Sequence, residues 1–380
     1  MNAETKQSYS PGLEGIIAGE TSISRVDPDA GLMYRGYDIA ELAVRASYEE
    51  VVWLLLHGEL PGMSDLGALT RQLSHERAVP AAVIEMLELL PPETSPIDSL
   101  RTGVSMLAAF DPEINETSAE AMLRKASRLI ARTNSLITAG WRIALGQEAV
   151  PQQSNLTHAG HFLQQLFGAV PEVWRVEAMD TILVLYADHD FNASTFSARV
   201  TASTLSDIYA AITTALGTLK GPLHGGANEQ AMKMLREIGE PERAKSWVEG
   251  RLGKKEKVMG FGHRVYKKGD ARVPVMRALV RQLGERAGEP QWAGICEKLE
   301  EIMEREKHLA ANVDLYAAPA LHLLGIPSEL NTPVFACGRV AGWCAHVLEQ
   351  QAHNRLIRPR SLYIGPARRA YRVKAQKSAA

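Results

Sequence analysis

Apolar residues recur at intervals of three and four along most of this chain, bracketed repeatedly by helix-starting and helix-stopping residues. No series of alternating, strand-like runs interrupts them. That periodicity confines the chain to a mostly helical fold. The clearest start is Ser47-Tyr48-Glu49-Glu50, a Ser followed at the third position by Glu, which predicts a capping box. The helix behind it carries Val51, Val52, Leu55 and Leu56 and is stopped by Gly58 and Pro61. Pro171 is suited to the first turn of a helix through Val173, Val176, Met179, Leu183 and Tyr186, ending near Asp188-His189-Asp190. Segments 207–219, 226–238, 242–252, 273–287, 291–307, 315–324 and 333–352 also read as helices, several closed by Gly239, Gly288 and Gly325. Composition agrees: 50 Ala and 42 Leu favour helix, and aromatic residues are only 6%. The strand candidates are residues 15–24 and 32–34, enough for one small hairpin.

At 380 residues the chain is long enough for two or three domains. No repeat and no low-complexity linker divides it, but residues 239–308 are richer in Lys, Arg and Glu than their flanks, as expected of a smaller lobe with more exposed helices. A formal charge of −2 supplies no general attraction for nucleic acid or an anionic membrane. Cys296, Cys337 and Cys344 are too few for a disulfide framework, and the N-terminus has no apolar secretory core, so the sequence predicts a cytoplasmic protein. No apolar run approaches the roughly 20 residues of a spanning helix. The last fifteen residues carry five basic side chains and no acid, which reads as a solvated or partner-wrapping arm.

Five stretches carry candidate chemistry. In Gly221-Pro222-Leu223-His224-Gly225-Gly226-Ala227-Asn228-Glu229, His224 lies just before a helix whose N-terminal dipole disfavours imidazolium; it reads either as a neutral hydrogen-bond donor or as a loop histidine beside a glycine turn. Gly260-Phe261-Gly262-His263-Arg264-Val265 lacks the third glycine and the preceding strand of a dinucleotide fingerprint. Surrounded by lysines and arginines, it is either a phosphate-receiving turn or a charged surface loop. Asp314, the one formally charged residue between Leu309 and Ile326, is a helix N-cap, a desolvated general base, or both. Arg339 stands alone in an otherwise uncharged helical stretch, 334–345, that should be buried, so its guanidinium needs an anion from the protein or a substrate. Arg272 and Arg358 offer two more forks for carboxylate.

Taken together, GPLHGGANE, GFGHRVYKKGDAR, NVDLYA, the arginine of TPVFACGRVAGW and NRLIRPR resemble citrate synthase in its short bacterial and archaeal form, and GLEGIIAGETSIS with YRGYDIAELA extends the resemblance over nearly the whole chain. Ala271 stands where the family usually has Pro, and Gly338 where it has Ser or Ala. The resemblance implies an all-α, two-domain fold: residues 1–224 and 321–380 as the large domain, 225–320 as a smaller inserted domain, and an active site in the cleft. It implies condensation of acetyl-CoA with oxaloacetate and hydrolysis of the citryl thioester, without a metal or a permanently bound cofactor. By the same resemblance Asp314 is the base, His224 the hydrogen-bond donor to the thioester oxygen, and His263 the group that polarises the ketone. His189, Asn192, Arg272, Arg339 and Arg358 would hold the dicarboxylate, Arg358 reaching across a homodimer interface. Lys257, Val258, Met259, Gly260, Phe261, Gly262, Lys267 and Asn312 would meet CoA.

Two rivals remain at this point. 2-Methylcitrate synthase, using propionyl-CoA, shares these residues, and one methylene is worth only about 1 to 3 kcal/mol in a pocket. A metal enzyme built on His224, His263 and Asp314 would leave three arginines idle beside a cation.

Overall fold

The computed structural model describes residues 9–27, 31–262 and 269–371. Among these residues the one sheet is small and antiparallel, with β1 Ser24–Asp27, β2 Gly31–Tyr34 and β3 Tyr37–Asp38 in that order. Ser24 pairs with Tyr34, and Tyr34 in turn with Tyr37. The predicted hairpin is therefore displaced: residues 15–23 form no strand, and only Ser24 of the first candidate pairs. Gly15 adopts φ 72° and Pro11–Leu13 just before it form a 3₁₀ turn, so the chain enters this stretch through turns.

Among the described residues, everything else in regular structure is helix. The first ten helices are α1 Ile39–Arg45, α2 Tyr48–His57, α3 Met63–His75, α4 Ala81–Glu88, α5 Pro96–Leu107, α6 Ala119–Ala144, α7 His158–Phe167, α8 Val173–Tyr186, α9 Ala193–Ser203 and α10 Ile208–Leu219. Then come α11 Ala227–Ile238, α12 Ala244–Gly253, α13 Val273–Ala287, α14 Gln291–Lys307, α15 Val313–Leu323 and α16 Asn331–Ala352. The capping box at Ser47 forms as its sequence dictates, the hydroxyl accepting from Glu50 N while the Glu50 carboxylate takes Ser47 N, and Gly58 closes α2 with a left-handed φ of 97°. Pro171 is not in a first turn. The N-cap of α8 is Glu172, one residue later, so the proline stiffens the approach instead.

Helix α16 is the axis of the body. It is buried over most of its length and packs on α2, α6, α8, α9 and α10. This is the environment that its uncharged, all-round apolar sequence requires. Helices α11 to α15 pack chiefly on one another, α11 and α13 against α15 and α12 and α13 against α14, and reach the body through α11 on α16 and α13 on α1. No helix among the described residues is long and apolar enough to cross a membrane.

Candidate active site

The site begins where α8 ends. Three residues on one face of α16, spaced three and four apart, grip three consecutive residues of the α8 exit. Arg339 Nε donates to the Tyr186 carbonyl at 2.6 Å, Gly342 N to the Ala187 carbonyl at 3.1 Å, and His346 Nε2 lies 3.2 Å from the Asp188 carboxylate. The Tyr34 hydroxyl completes the clamp by donating to Asp188 O at 2.9 Å and accepting from Asp188 N at 3.1 Å. Burial alone would raise the Asp188 carboxyl, but His346, Arg339 and a bond from Ser24 Oγ outweigh it and pull it down to about 2. The segment thus delivers His189, itself buried, in a fixed position.

Gly342 makes that approach possible. A Cβ there would lie 2.3 Å from the Ala187 carbonyl oxygen and 2.4 Å from Asp188 Oδ1. Gly342→Ala gains up to about 1 kcal/mol of helix propensity, yet the overlap with main chain forces α16 and the α8 exit apart at a cost of about 1 to 3 kcal/mol. A lower melting temperature and a raised KM for the site's ligand are expected; calorimetry and kinetics on the purified variant check both.

Past the clamp, Asn192 caps α9, its Oδ1 accepting from Thr195 N at 3.1 Å. Ser194, in the first turn, turns back toward the GPLHGG loop: its Oγ is 2.8 Å from His224 Nε2. His224 is half-buried and its pKa is pulled down to about 4, by burial first and by the Arg339 cation second. The neutral ring expected from the sequence follows from burial and from the Arg339 cation.

Asp314 is approached from another direction. The N-cap of α15 is Asn312, whose Oδ1 accepts from Asp314 N at 3.1 Å; Asp314 is the second residue of the helix and its carboxylate is released from the capping role that the sequence allowed. Burial raises that carboxyl to about 6, against the opposing pull of Arg272 and Arg339. Asn312 also ties this helix start to the glycine turn, through its N to Gly260 O at 2.9 Å and Nδ2 to Gly262 O at 3.1 Å, while Gly262 N donates to Ala310 O at 2.9 Å. Gly260, at φ 83°, lies so near α15 that a Cβ would meet that of Leu315 at 2.8 Å. Val258 and Gly260 are buried, Met259, Phe261 and Gly262 partly so, and Lys257 is exposed. His263 and Lys267 lie outside the described residues.

The arginines divide into three cases. Arg272 is buried and paired bidentately with Asp270, Nε to Oδ1 at 2.9 Å and Nη2 to Oδ2 at 2.7 Å. Asp270 also accepts from Val313 N at 3.1 Å, so one carboxylate fastens Arg272 to the helix that bears Asp314. Burial pushes Asp270 up, yet Arg272 brings it well below the usual carboxylate range. Arg339 is buried with its guanidinium 4.5 Å above the Phe335 ring, and its pKa is lowered by burial to about 10 despite the favourable charge of Asp188. Its Nη2 has no hydrogen-bond partner among the described residues. Arg358 is exposed, in an extended segment that Ile357 N pins to Ser203 Oγ at 3.0 Å, and is not brought to the others within one chain.

Electrostatic influence shows which groups converge: His224 feels Arg339, Asp314 feels Arg272, Asp270 and Arg339, and Asp270 feels His189. The structure therefore gathers His189, His224, Asp314, Arg272 and Arg339, with Asn192 capping the helix whose Ser194 meets His224. Sequence reasoning missed Asp270, Asp188, Ser194 and Tyr186, whose hydroxyl accepts from Asn228 Nδ2 at 3.0 Å. Asp270 sits inside a motif already singled out; Asp188 was read only as a helix end and Tyr186 only as an apolar helix position. Among the described residues no group of three or more His, Cys, Asp or Glu is arranged to hold a metal ion, and the two-histidine metal set includes His263, which is not among them. Chemically the cluster offers a weakly acidic carboxylate, a neutral imidazole and a partly unsatisfied guanidinium, suited to moving a proton beside a bound anion.

The family model described as citrate synthase, C-terminal domain, matches residues 12–360. "Citrate synthase 2" of Bacillus subtilis is 47% identical over 95% of this chain and 97% of its own length, and "Citrate/2-methylcitrate synthase" of the same organism is 45% identical over 96% and 98%. Among solved structures, the ternary complex of carboxymethyl coenzyme A and oxaloacetate with citrate synthase from Thermoplasma acidophilum superposes with a TM-score of 0.90 at 32% identity, covering 97% of this chain and all of the other. Fold and sequence thus agree that this chain belongs to the citrate synthase family, the acyltransferase-type condensing enzymes.

Proposed function

We propose that this protein condenses acetyl-CoA with oxaloacetate and hydrolyses the resulting citryl thioester to citrate and CoA. The observation that carries the reading is Arg339: a buried guanidinium with an unsatisfied Nη2, near a second buried guanidinium. An unpaired buried charge is unfavourable by several kcal/mol, and a dicarboxylate is the ligand that relieves it. Oxaloacetate supplies two carboxylates. His189 and Arg272 would complete its seat, and Arg358 would enter from a second copy of the chain in a homodimer.

In this reading Asp314 takes a methyl proton from acetyl-CoA while neutral His224 donates a hydrogen bond to the thioester oxygen, where charge develops. The enolate carbon then attacks the ketone of oxaloacetate. By family resemblance His263 protonates the resulting alkoxide, and water cleaves the thioester. A carboxyl raised to about 6 is a stronger base than an ordinary aspartate yet still mostly ionised at pH 7. An imidazole lowered to about 4 stays uncharged through the same range. We further assign residues 225–320 as the smaller domain, closing on the body once the dicarboxylate is bound, with residues 257–262 and Asn312 receiving CoA. The three cysteines are free and buried, in keeping with a reducing, cytoplasmic setting.

A pH profile follows with a definite sign. The base works as carboxylate, so kcat/KM should hold above about pH 6 and fall tenfold per unit below it, with His224 contributing only near pH 4. A limb near the ordinary aspartate value would remove Asp314 as base. The deciding experiment is release of CoA thiol with oxaloacetate present and acetyl-CoA or propionyl-CoA varied. Acetyl preference is expected. A propionyl preference would move the protein to 2-methylcitrate synthesis, the second activity in the name of its Bacillus subtilis relative, and absence of thiol release with either would overturn the assignment.

A further inference from the structure

Trp343 is fully buried on the same face of α16 as Arg339 and His346, and its polar atom is directed into the site. Its Nε1 donates to Ser194 Oγ at 3.2 Å. The same oxygen lies 2.8 Å from His224 Nε2 and 2.7 Å from Asn192 Oδ1. The main-chain N–H of Ser194 is also directed at His224 Nε2, at 3.4 Å. An indole N–H only donates, so Ser194 Oγ must accept from it. The single hydroxyl hydrogen then has two acceptors within reach, the asparagine oxygen and the imidazole nitrogen.

We propose that Trp343 is a positioning residue for the condensation: its indole N–H anchors Ser194 Oγ beside His224 Nε2, and because the Ser194 main-chain N–H already donates to that nitrogen, the hydroxyl hydrogen turns from Asn192 Oδ1 to Nε2. Two donors on one residue, the Ser194 hydroxyl and main-chain N–H, then face that nitrogen and keep it bare. The neutral imidazole must carry its proton on Nδ1, which leaves that N–H for the thioester oxygen. Accepting from the indole also polarises the serine hydroxyl and strengthens its donation. Asn192 Oδ1 retains Thr195 N as a donor, so the helix cap survives the loss of the serine hydrogen. The role assigned to Nδ1 rests on the function proposed above.

Trp343→Phe removes the indole N–H while keeping a buried ring. One neutral hydrogen bond corresponds to a fall in kcat of about 3- to 10-fold, with KM for oxaloacetate expected within about twofold because Arg339 and Arg272 are untouched. Ser194→Ala should lower kcat by at least as much, and adding Trp343→Phe to it should cost nothing further. Losses that multiply in the double variant, or a raised KM with kcat intact, would overturn the proposal in favour of packing alone. Independently of turnover, nuclear magnetic resonance of isotope-labelled histidine, with His224 assigned through His224→Asn, should show the Nδ1–H form in the parent and mixed tautomers in Trp343→Phe. Should that variant not fold, Ser194→Ala, which removes one oxygen, gives the answer from the other side: the Trp343 indole resonance should move and the His224 preference relax. An unchanged His224 tautomer in either variant would overturn the proposal even in an active enzyme. A parent protein that releases no thiol would instead overturn the function, leaving the tautomer measurement to decide the role of Trp343.

Discussion

Asp314→Asn is expected to lower citrate formation by about 10³-fold without loss of the fold. The amide keeps the size of the side chain, and the main-chain bond from residue 314 to Asn312 Oδ1 is unaffected. What disappears is the proton acceptor. The same substitution should leave the protein slightly more stable at pH 8. The folded-state carboxyl lies above its unfolded value of about 3.8, so folding favours the protonated form. Its contribution is fully present below the unfolded pKa and is lost as pH rises through about 6. An asparagine removes that loss, so parent and variant should melt alike near pH 4, diverge as pH rises to about 6 and differ by a constant amount above it, the variant melting higher. Thiol release and calorimetry on one preparation test both statements. Near-normal turnover would mean that another group takes the methyl proton.

Arg339→Gln is expected to reduce kcat/KM for oxaloacetate by about 10² to 10³-fold, chiefly through KM. The guanidinium has two duties that the structure separates. Its Nε holds the Tyr186 carbonyl at 2.6 Å, a bond that a glutamine amide can imitate, whereas its Nη2 has no partner among the described residues and its charge acts on Asp188 and His224. Losing the cation should therefore raise the pKa of His224, whose depression is partly due to Arg339, and raise that of Asp188. Arg339→Lys restores a charge but not the fork, so it should recover only part of the binding. Equal oxaloacetate affinity in parent and Gln variant, measured by calorimetric titration, would show that the unsatisfied donor is not meant for the substrate.

Much of this arrangement was legible along the chain. Helix α13 runs Val273–Ala287 and α14 Gln291–Lys307, matching their periodic segments, because proline, glycine and apolar spacing all act within a few residues. The capping box at Ser47 and the buried α16 were legible for the same reason. Errors arose where a local signal had two solutions. A proline at 171 fits a first turn or the approach to one, and residues 15–24 have strand-like content but a glycine that takes positive φ. For Asp314 the sequence allowed the cap, but Asn312 takes it, its side chain also reaching the Gly262 carbonyl.

The sequence by itself determined that this chain is helical, that α16 must be buried, that Arg339 must find an anion, and which histidines and carboxylates stand in motifs able to move protons. Tertiary structure alone decided which of them meet and in what charge state. Arg272 is separated from Asp270 by two positions, but its distance from Arg339 depends on how α13 and α16 pack. The neutrality of His224 and the raised pKa of Asp314 come first from burial, and burial is a sum over elements remote in sequence. The grip of Arg339, Gly342 and His346 on residues 186–188 spans more than 150 positions, a contact that no short-range pattern encodes.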